Sequence, residues 1–242
     1  MPLTEPFGHA PSTSKTINTT TKCNNTSRTK PEDISEQNAA LLKYQPKQIT
    51  KLADVSNYGD RVNVDGFGKP VSNEPLVVLH ETVISASETV RKFQTPHPSD
   101  GDQASYHALV TLDGVIISLV PWEKRAFGAG NSAFTNSNKV IETVQTNPNI
   151  PPSVNNFAYH VSLETPIEGR NDNKAHIGYT EAEYRSLAWL LGKANIPESR
   201  ITTHREIDRS GTRTDPRSFD YQKLFQLMRA YKMALELPAN SC

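Results

Sequence analysis

Three side chains that could bind a metal ion stand far apart in this sequence. His80 ends an apolar run, His204 directly precedes the polar stretch "REIDRSGTRTDPRSFD", and Asp215 lies inside that stretch, before a proline. Two imidazoles and one carboxylate are a typical ligand set for a catalytic zinc ion, because they leave a fourth position for water. The spacing fits three unrelated structural residues equally well, so both interpretations stay open at this point.

Strands must bring these residues together. The run at 75–82, "PLVVLHET", is short, apolar and β-branched, which predicts a buried strand that delivers His80 at its end. Two further strands are predicted within 106–121, because Asp113-Gly114 is a strong hairpin signal. A long surface excursion is predicted at 131–156, where apolar residues are few. Other strands are predicted at 157–165 and, as a short segment, just before His204.

Helical periodicity occupies three segments, at 83–93, 179–196 and 218–237. Thr180 is expected to cap the second helix, with Glu183 completing a capping box, and Ser218 is expected to cap the third. The order of elements predicts an α/β fold, with a mixed central β-sheet flanked by helices in a single domain. The buried stripe of the second helix is expected to comprise Leu187, Leu190, Leu191 and Ala194.

Length and charge limit the classes of function. The chain has 242 residues and no net charge, so charge gives no argument for binding nucleic acid or an anionic membrane. The sequence contains no apolar run long enough to span a membrane and no signal-peptide pattern at its start. Residues 1–45 are rich in Ser, Thr, Asn and Lys, so we predict a disordered segment there and a folded catalytic domain over 46–242.

Three sequence blocks, in the same order, closely resemble the zinc-dependent N-acetylmuramoyl-L-alanine amidase family: "VVLHET", "SYHALVTLDGVIISLVPWEKRAFGAGNS" and "HREIDRSGTRTDP". This family includes phage amidase lysozymes, bacterial amidases of cell-wall turnover and animal peptidoglycan recognition proteins. The resemblance covers about residues 75–225. It implies that a zinc-activated water hydrolyses the amide between N-acetylmuramic acid and L-alanine in peptidoglycan or muropeptides.

The resemblance also implies roles for single residues. His80, His204 and Asp215 match the zinc ligands. Arg213, two places before that aspartate, matches a basic residue that stabilises the oxyanion, and Tyr106 matches a tyrosine placed beside the zinc-bound water. The residues expected to contact substrate are Phe127, Ala129 and Asn131.

Three positions depart from the family pattern. The catalytic glutamate of the recycling amidases aligns with Ser162, and Glu164, two residues further on, is the candidate that could replace it. A substrate-facing histidine of the family is missing at Gly128. Glu81 follows the first ligand, and strand geometry turns it to the opposite face, which favours a structural role.

Several alternatives remain open. His107 is expected to be a buried, hydrogen-bonded core residue, and His160 to lie in the core or at the rim of the site. A non-catalytic peptidoglycan-binding module is the main alternative function, since several relatives lack the full ligand set. A zinc carboxypeptidase acting on the stem peptide is another. We expect a monomer that works in the cell envelope, periplasmic or secreted, rather than in the cytoplasm.

Overall fold

The computed structural model describes residues 43–194 and 196–236. The predicted disordered segment, 1–45, lies outside these residues except for its last three positions. The α-helices are α1 (Ala86–Gln94), α2 (Glu181–Ala194), α3 (His204–Ile207) and α4 (Tyr221–Glu236). The strands are β1 (Gln48–Thr50), β2 (Tyr58–Asp60), β3 (Leu76–Glu81), β4 (Ala108–Val110), β5 (Ile116–Ser118), β6 (Lys124–Ala126), β7 (Phe134–Thr135), β8 (Ile141–Glu142), β9 (Ala158–Leu163) and β10 (Ile201–Thr203).

A mixed sheet forms the centre of the described part of the chain. Its strand order is β1-β5-β4-β9-β3-β10. The pair β4–β5 is antiparallel and the other four pairs are parallel. Helices α2 and α4 pack together over the core of this sheet. The prediction of a single α/β domain with a mixed sheet flanked by helices is therefore confirmed.

The sheet brings two of the predicted ligands together at the carboxyl ends of neighbouring strands. All six residues of β3 are buried, as expected for an apolar run in a strand that is covered on both faces. Strand β10 runs parallel to β3, and Thr203 pairs with Leu79. Because parallel strands end on the same side of a sheet, His80 in β3 and His204, directly after β10, become neighbours.

The structure confirms the predicted N-terminal cap of the second helix, but the buried face of this helix differs from the predicted one. The Glu183 N–H donates to the Thr180 hydroxyl at 3.1 Å, and the Thr180 N–H donates to the Glu183 carboxylate at 2.8 Å. Of the predicted stripe, Leu187 and Leu191 are buried, but Leu190 is only partly buried and Ala194 is exposed. The helix is rotated relative to the prediction, and the residues that complete its buried face are Tyr184 and Ala188.

Two helices begin later than their periodicity predicted. Helix α1 starts at Ala86, because the Ser85 hydroxyl caps it and Val83 has a positive φ of 59° that no helix tolerates. The proposed cap of the last helix, Ser218, also has a positive φ, of 52°. Its place is taken by Asp220, whose carboxylate accepts the Lys223 N–H at 3.0 Å.

The excursion at 131–156 does not lie wholly on the surface. It contains the antiparallel pair β7–β8, and it buries Val144 and Val154 in a cluster with Leu76 and Val78 of β3.

Among the described residues, none of the helices is both long and apolar enough to cross a membrane.

Glu183 gives the fold a predicted pH dependence. One of its carboxylate oxygens is buried without a hydrogen-bond partner among the described residues, and burial raises the pKa of Glu183 to about 7. A carboxyl group with a raised pKa stabilises the fold fully below its unfolded value of 4.5, and this contribution is lost as the pH rises through about 7. The free energy of unfolding of the wild type should therefore fall by up to about 3 kcal/mol between pH 4 and pH 8, and Glu183→Gln should not show this fall.

Thermal unfolding of the wild type and of Glu183→Gln across this pH range measures the effect. Glu181→Gln is the matched control, because Glu181 is exposed on the same turn of α2. Parallel pH profiles for the wild type and Glu183→Gln would contradict the prediction.

Candidate active site

The structure brings the three predicted ligands together. Nδ1 of His80 lies 3.2 Å from Oδ2 of Asp215, and Nδ1 of His204 lies 3.0 Å from Oδ1 of the same carboxylate. One ligand atom from each residue lies within 4.8 Å of the other two. Tetrahedral coordination with bonds of about 2.1 Å places ligand atoms roughly 3.4 Å apart, so the cluster has dimensions that suit zinc.

The protonation states of this cluster suit a metal. Burial lowers the pKa of His80 to about 4, although its hydrogen bond with Asp215 acts against this. Burial opposes the ionisation of Asp215, but hydrogen bonds from His204 and His80 outweigh it and hold the pKa of this carboxyl well below its usual range. A neutral imidazole and an ionised carboxylate are the forms that bind a cation.

A cleft of about 1190 Å³ opens beside the cluster. His204 and Asp215 lie in its wall, while His80 is fully buried behind them. Of the residues predicted to contact substrate, Phe127 and Asn131 also line the cleft. Ala129 does not, because its side chain is buried in the core and its N–H donates to the Asn155 side chain at 2.9 Å. The side chain of Ala129 is therefore not in the wall of the cleft, and its predicted contact with substrate stays a prediction.

Tyr106 lies against His80, the first predicted ligand. Its ring stacks on the His80 ring with 4.5 Å between centroids and 25° between planes, and Phe93 packs against its other side. Burial raises the pKa of Tyr106 above its ordinary value, so the hydroxyl stays protonated at neutral pH. Tyr106 lines the cleft and can donate a hydrogen bond there.

Arg213 reaches the same cleft from the loop that carries Asp215. Its backbone N–H donates to the Asp208 carboxylate at 3.0 Å, which fixes the loop. Its side chain is exposed and forms no ion pair with any other described residue. A guanidinium group in this position is available to an anionic group in the cleft.

Glu164 is placed elsewhere. Its carboxylate accepts the Ala86 N–H at 2.8 Å, at the start of α1, and pairs with Arg170 at 3.0 Å. It does not belong to the lining of the cleft. Glu164 lies one residue beyond the end of β9, and its N–H donates to the carbonyl oxygen of Val110 at 2.8 Å. The structure thus does not support Glu164 as a residue of the active site.

A buried ion pair lies next to two of the predicted ligands. Glu81 follows His80, Arg217 follows Asp215 by two positions, and Nε of Arg217 lies 2.7 Å from the Glu81 carboxylate. A second guanidinium nitrogen lies 3.1 Å from the other carboxylate oxygen, and the Arg217 N–H also donates to Glu81. The structural role predicted for Glu81 fits these contacts. Sequence reasoning missed Arg217, whose only signal was its place beside a ligand.

The sequence left open whether His160 lies in the core or at the rim of the site. The structure puts it in direct contact with His80, a predicted ligand. It lies on β9, next to β3, and is fully buried. Its Nδ1 lies 2.9 Å from Nε2 of His80, the nitrogen of that ring that faces away from Asp215.

Comparisons with known proteins identify the family of this chain and support its fold. The family model described as N-acetylmuramoyl-L-alanine amidase matches residues 70–218. A crystal structure of a selenomethionine derivative of AmpD has a TM-score of 0.51 and 22% identity, covering 75% of this chain and 93% of that one. Its similarity supports the fold. A search among curated proteins found no match.

Two further solved structures are similar to this chain at lower TM-scores. AmiD from E. coli, in complex with anhydro-N-acetylmuramic acid-L-Ala-D-gamma-Glu-L-Lys, has a TM-score of 0.48 and 20% identity, covering 64% of this chain and 57% of that one. AmpDH3 from Pseudomonas aeruginosa, in complex with anhydromuramic pentapeptide, has a TM-score of 0.47 and 17% identity, covering 76% of this chain and 64% of that one.

Proposed function

Because this chain belongs to the N-acetylmuramoyl-L-alanine amidase family, we propose that it hydrolyses the amide bond between N-acetylmuramic acid and L-alanine in peptidoglycan or muropeptides. The observation that carries the proposal is the convergence of His80, His204 and Asp215 beside a cleft large enough for a glycopeptide. A recognition module would need the cleft but not this ligand set.

Zinc is the proposed metal. Two imidazole nitrogens and one carboxylate oxygen are a common catalytic zinc set. Each imidazole Nδ1 lies 3.0 to 3.2 Å from an oxygen of the Asp215 carboxylate, which fits the small coordination sphere of zinc. Bound zinc supplies a water molecule with a pKa of roughly 7 and polarises a carbonyl group. His80, His204 and Asp215 would hold it through Nδ1, Nδ1 and a carboxylate oxygen.

Two side chains of the cleft are proposed to act on the substrate. Attack of water on the amide carbon places negative charge on the carbonyl oxygen, and a preorganised donor or cation stabilises that charge. The protonated Tyr106 hydroxyl and the free Arg213 guanidinium are the groups that this chain offers. Phe127 and Asn131 are proposed to line the groove for sugar or peptide.

The proposed boundaries of the protein follow the sequence prediction, with residues 46–242 as the catalytic domain. Tyr44 already contacts this domain, since its hydroxyl lies 2.7 Å from the Ser186 hydroxyl. We propose that the protein acts as a monomer in the cell envelope, where intact peptidoglycan lies.

Digestion of purified peptidoglycan, with and without a chelator, tests the proposed function. Mass spectrometry should identify free stem peptides that begin with L-alanine, lost on chelation and restored by zinc. Binding without release of peptide would indicate a recognition module. Release of a C-terminal amino acid of the stem peptide instead would indicate a carboxypeptidase.

Replacing Tyr106 with phenylalanine is expected to slow turnover by about 10- to 100-fold, because the ring still stacks on His80 but the donor is lost. Zinc content and melting temperature should stay at wild-type values. Steady-state kinetics on a soluble muropeptide, with the metal measured in the same sample, checks both. Unchanged turnover would remove Tyr106 from the mechanism.

A further inference from the structure

A second histidine stands directly behind the first metal ligand. His80 and His160 lie on the paired strands β3 and β9, and neither is accessible to solvent. Nε2 of His80 and Nδ1 of His160 are 2.9 Å apart, a hydrogen-bond distance. The contact therefore links His80 to the neighbouring strand through the nitrogen that is not turned towards the cleft.

When a metal is bound, the contacts determine which ring nitrogen of His80 and which ring nitrogen of His160 carries the hydrogen. Nδ1 of His80 faces Asp215, so a metal there takes its lone pair and leaves the hydrogen on Nε2. That hydrogen can only be donated to Nδ1 of His160, which must be the unprotonated nitrogen of its ring. The His160 backbone N–H donates in turn to Nδ1 of His107 at 3.0 Å, which holds this part of β9 in place.

Gly128 makes the approach possible. A Cβ atom at this position would lie 2.3 Å from Nδ1 of His160 and 2.4 Å from Cγ of the same ring, far closer than real atoms come. The atom that would be struck is the acceptor for His80. By contrast, a Cβ atom at Gly130, in the same segment, meets nothing within 4 Å.

We propose that His160 is a positioning residue that orients the metal ligand His80 through a hydrogen bond between the two rings, and that Gly128 leaves the space that this bond needs. The inference rests on the proposed function, because it requires a metal at His80. Metal-binding histidines generally donate their other ring N–H to a fixed acceptor, which sets the ring orientation and strengthens the ligand. Here the acceptor is an imidazole instead of a carboxylate or a carbonyl oxygen.

A role in packing alone does not account for His160. Its Nε2 is buried without a hydrogen-bond partner among the described residues, which an apolar side chain of similar size would avoid. The polar ring is therefore poorly suited to the core and well suited to the ligand beside it.

The first test compares His160→Leu with His160→Asn. Leucine keeps much of the volume and removes the acceptor, whereas the asparagine side-chain oxygen can accept a hydrogen bond near the position of Nδ1. Competition with a chelator should show zinc affinity about 10- to 100-fold weaker in His160→Leu, with His160→Asn recovering most of it. The visible spectrum of the cobalt-substituted protein, which reports ligand geometry, should change in His160→Leu and stay close to wild type in His160→Asn.

The melting temperature of the metal-free protein separates positioning from packing. We expect His160→Leu to melt at or above the wild-type temperature without metal and to gain less stability when zinc is added. If His160→Leu does not fold, Gly128→Ala and Gly130→Ala decide the question. Gly128→Ala should weaken zinc binding and Gly130→Ala should not. Adding His160→Ala should abolish the effect of Gly128→Ala, because the two changes act on one contact.

The outcomes distinguish a failure of the proposed function from a failure of the positioning role. If the wild type binds no zinc, the proposed metal site is wrong and the role of His160 with it. If the wild type binds zinc and His160→Leu binds it equally tightly with an unchanged cobalt spectrum, the proposed function stands and the positioning role is overturned.

Discussion

Replacing His204 with alanine is expected to abolish zinc binding and amide hydrolysis together. The residue is one of three whose donor atoms lie within 4.8 Å of one another, and two remaining ligands hold a catalytic zinc poorly. Because the metal contributes several kcal/mol to the stabilisation of the transition state, turnover should fall by more than about a thousandfold. Zinc content and muropeptide hydrolysis, measured on the same purified sample, check the prediction.

Arg209→Ala is the matched control for this experiment. Arg209 lies in the same part of the chain and its side chain is exposed, so zinc content and turnover should stay unchanged. Wild-type zinc content and activity in His204→Ala would remove His204 from the ligand set, whereas zinc loss with activity retained would remove the metal from the proposed reaction.

The second large effect is expected at the buried ion pair between Glu81 and Arg217. Arg217→Met should lower the free energy of unfolding by about 3 to 5 kcal/mol, because it leaves the carboxylate of Glu81 buried without its guanidinium partner. The basic group that remains beside Glu81 among the described residues is His176, whose Nε2 lies 3.3 Å from the carboxylate. Urea denaturation of the metal-free protein measures this loss. Since Glu81 and Arg217 flank His80 and Asp215, zinc affinity should fall as well.

The double variant Glu81→Leu/Arg217→Met should recover much of that stability, because it removes both charges. Arg229→Met provides the control at the surface. It breaks an exposed ion pair with Glu198, so the unfolding midpoint should barely move. Equal destabilisation by the Arg217 and Arg229 substitutions would contradict a special role for the buried pair.

The elements that carry the proposed ligands could be predicted from the sequence because local signals place them. An apolar, β-branched run identifies the strand of His80, and the capping box at Thr180 identifies the start of α2. Sequence blocks shared with the amidase family identify His204 and Asp215. The mixed sheet then follows from the order of the elements.

The remaining parts of the site depend on contacts between distant segments. Glu164 caps α1 through the Ala86 N–H, and this contact could not be inferred because α1 begins three residues later than its periodicity indicates. The pairing of His80 with His160 depends on the register of β3 and β9 and on the space at Gly128. Neither leaves a periodic pattern in the sequence.

Strand β10 has a consequence for the biosynthesis of the protein. It lies at the edge of the sheet and is the last strand in the described part of the chain, whereas its partner β3 is made early. A nascent or truncated chain that ends before Ile201 contains the other five strands of this sheet but lacks two of the three proposed ligands. The ribosome must therefore complete the chain as far as Asp215 before the proposed metal site can assemble.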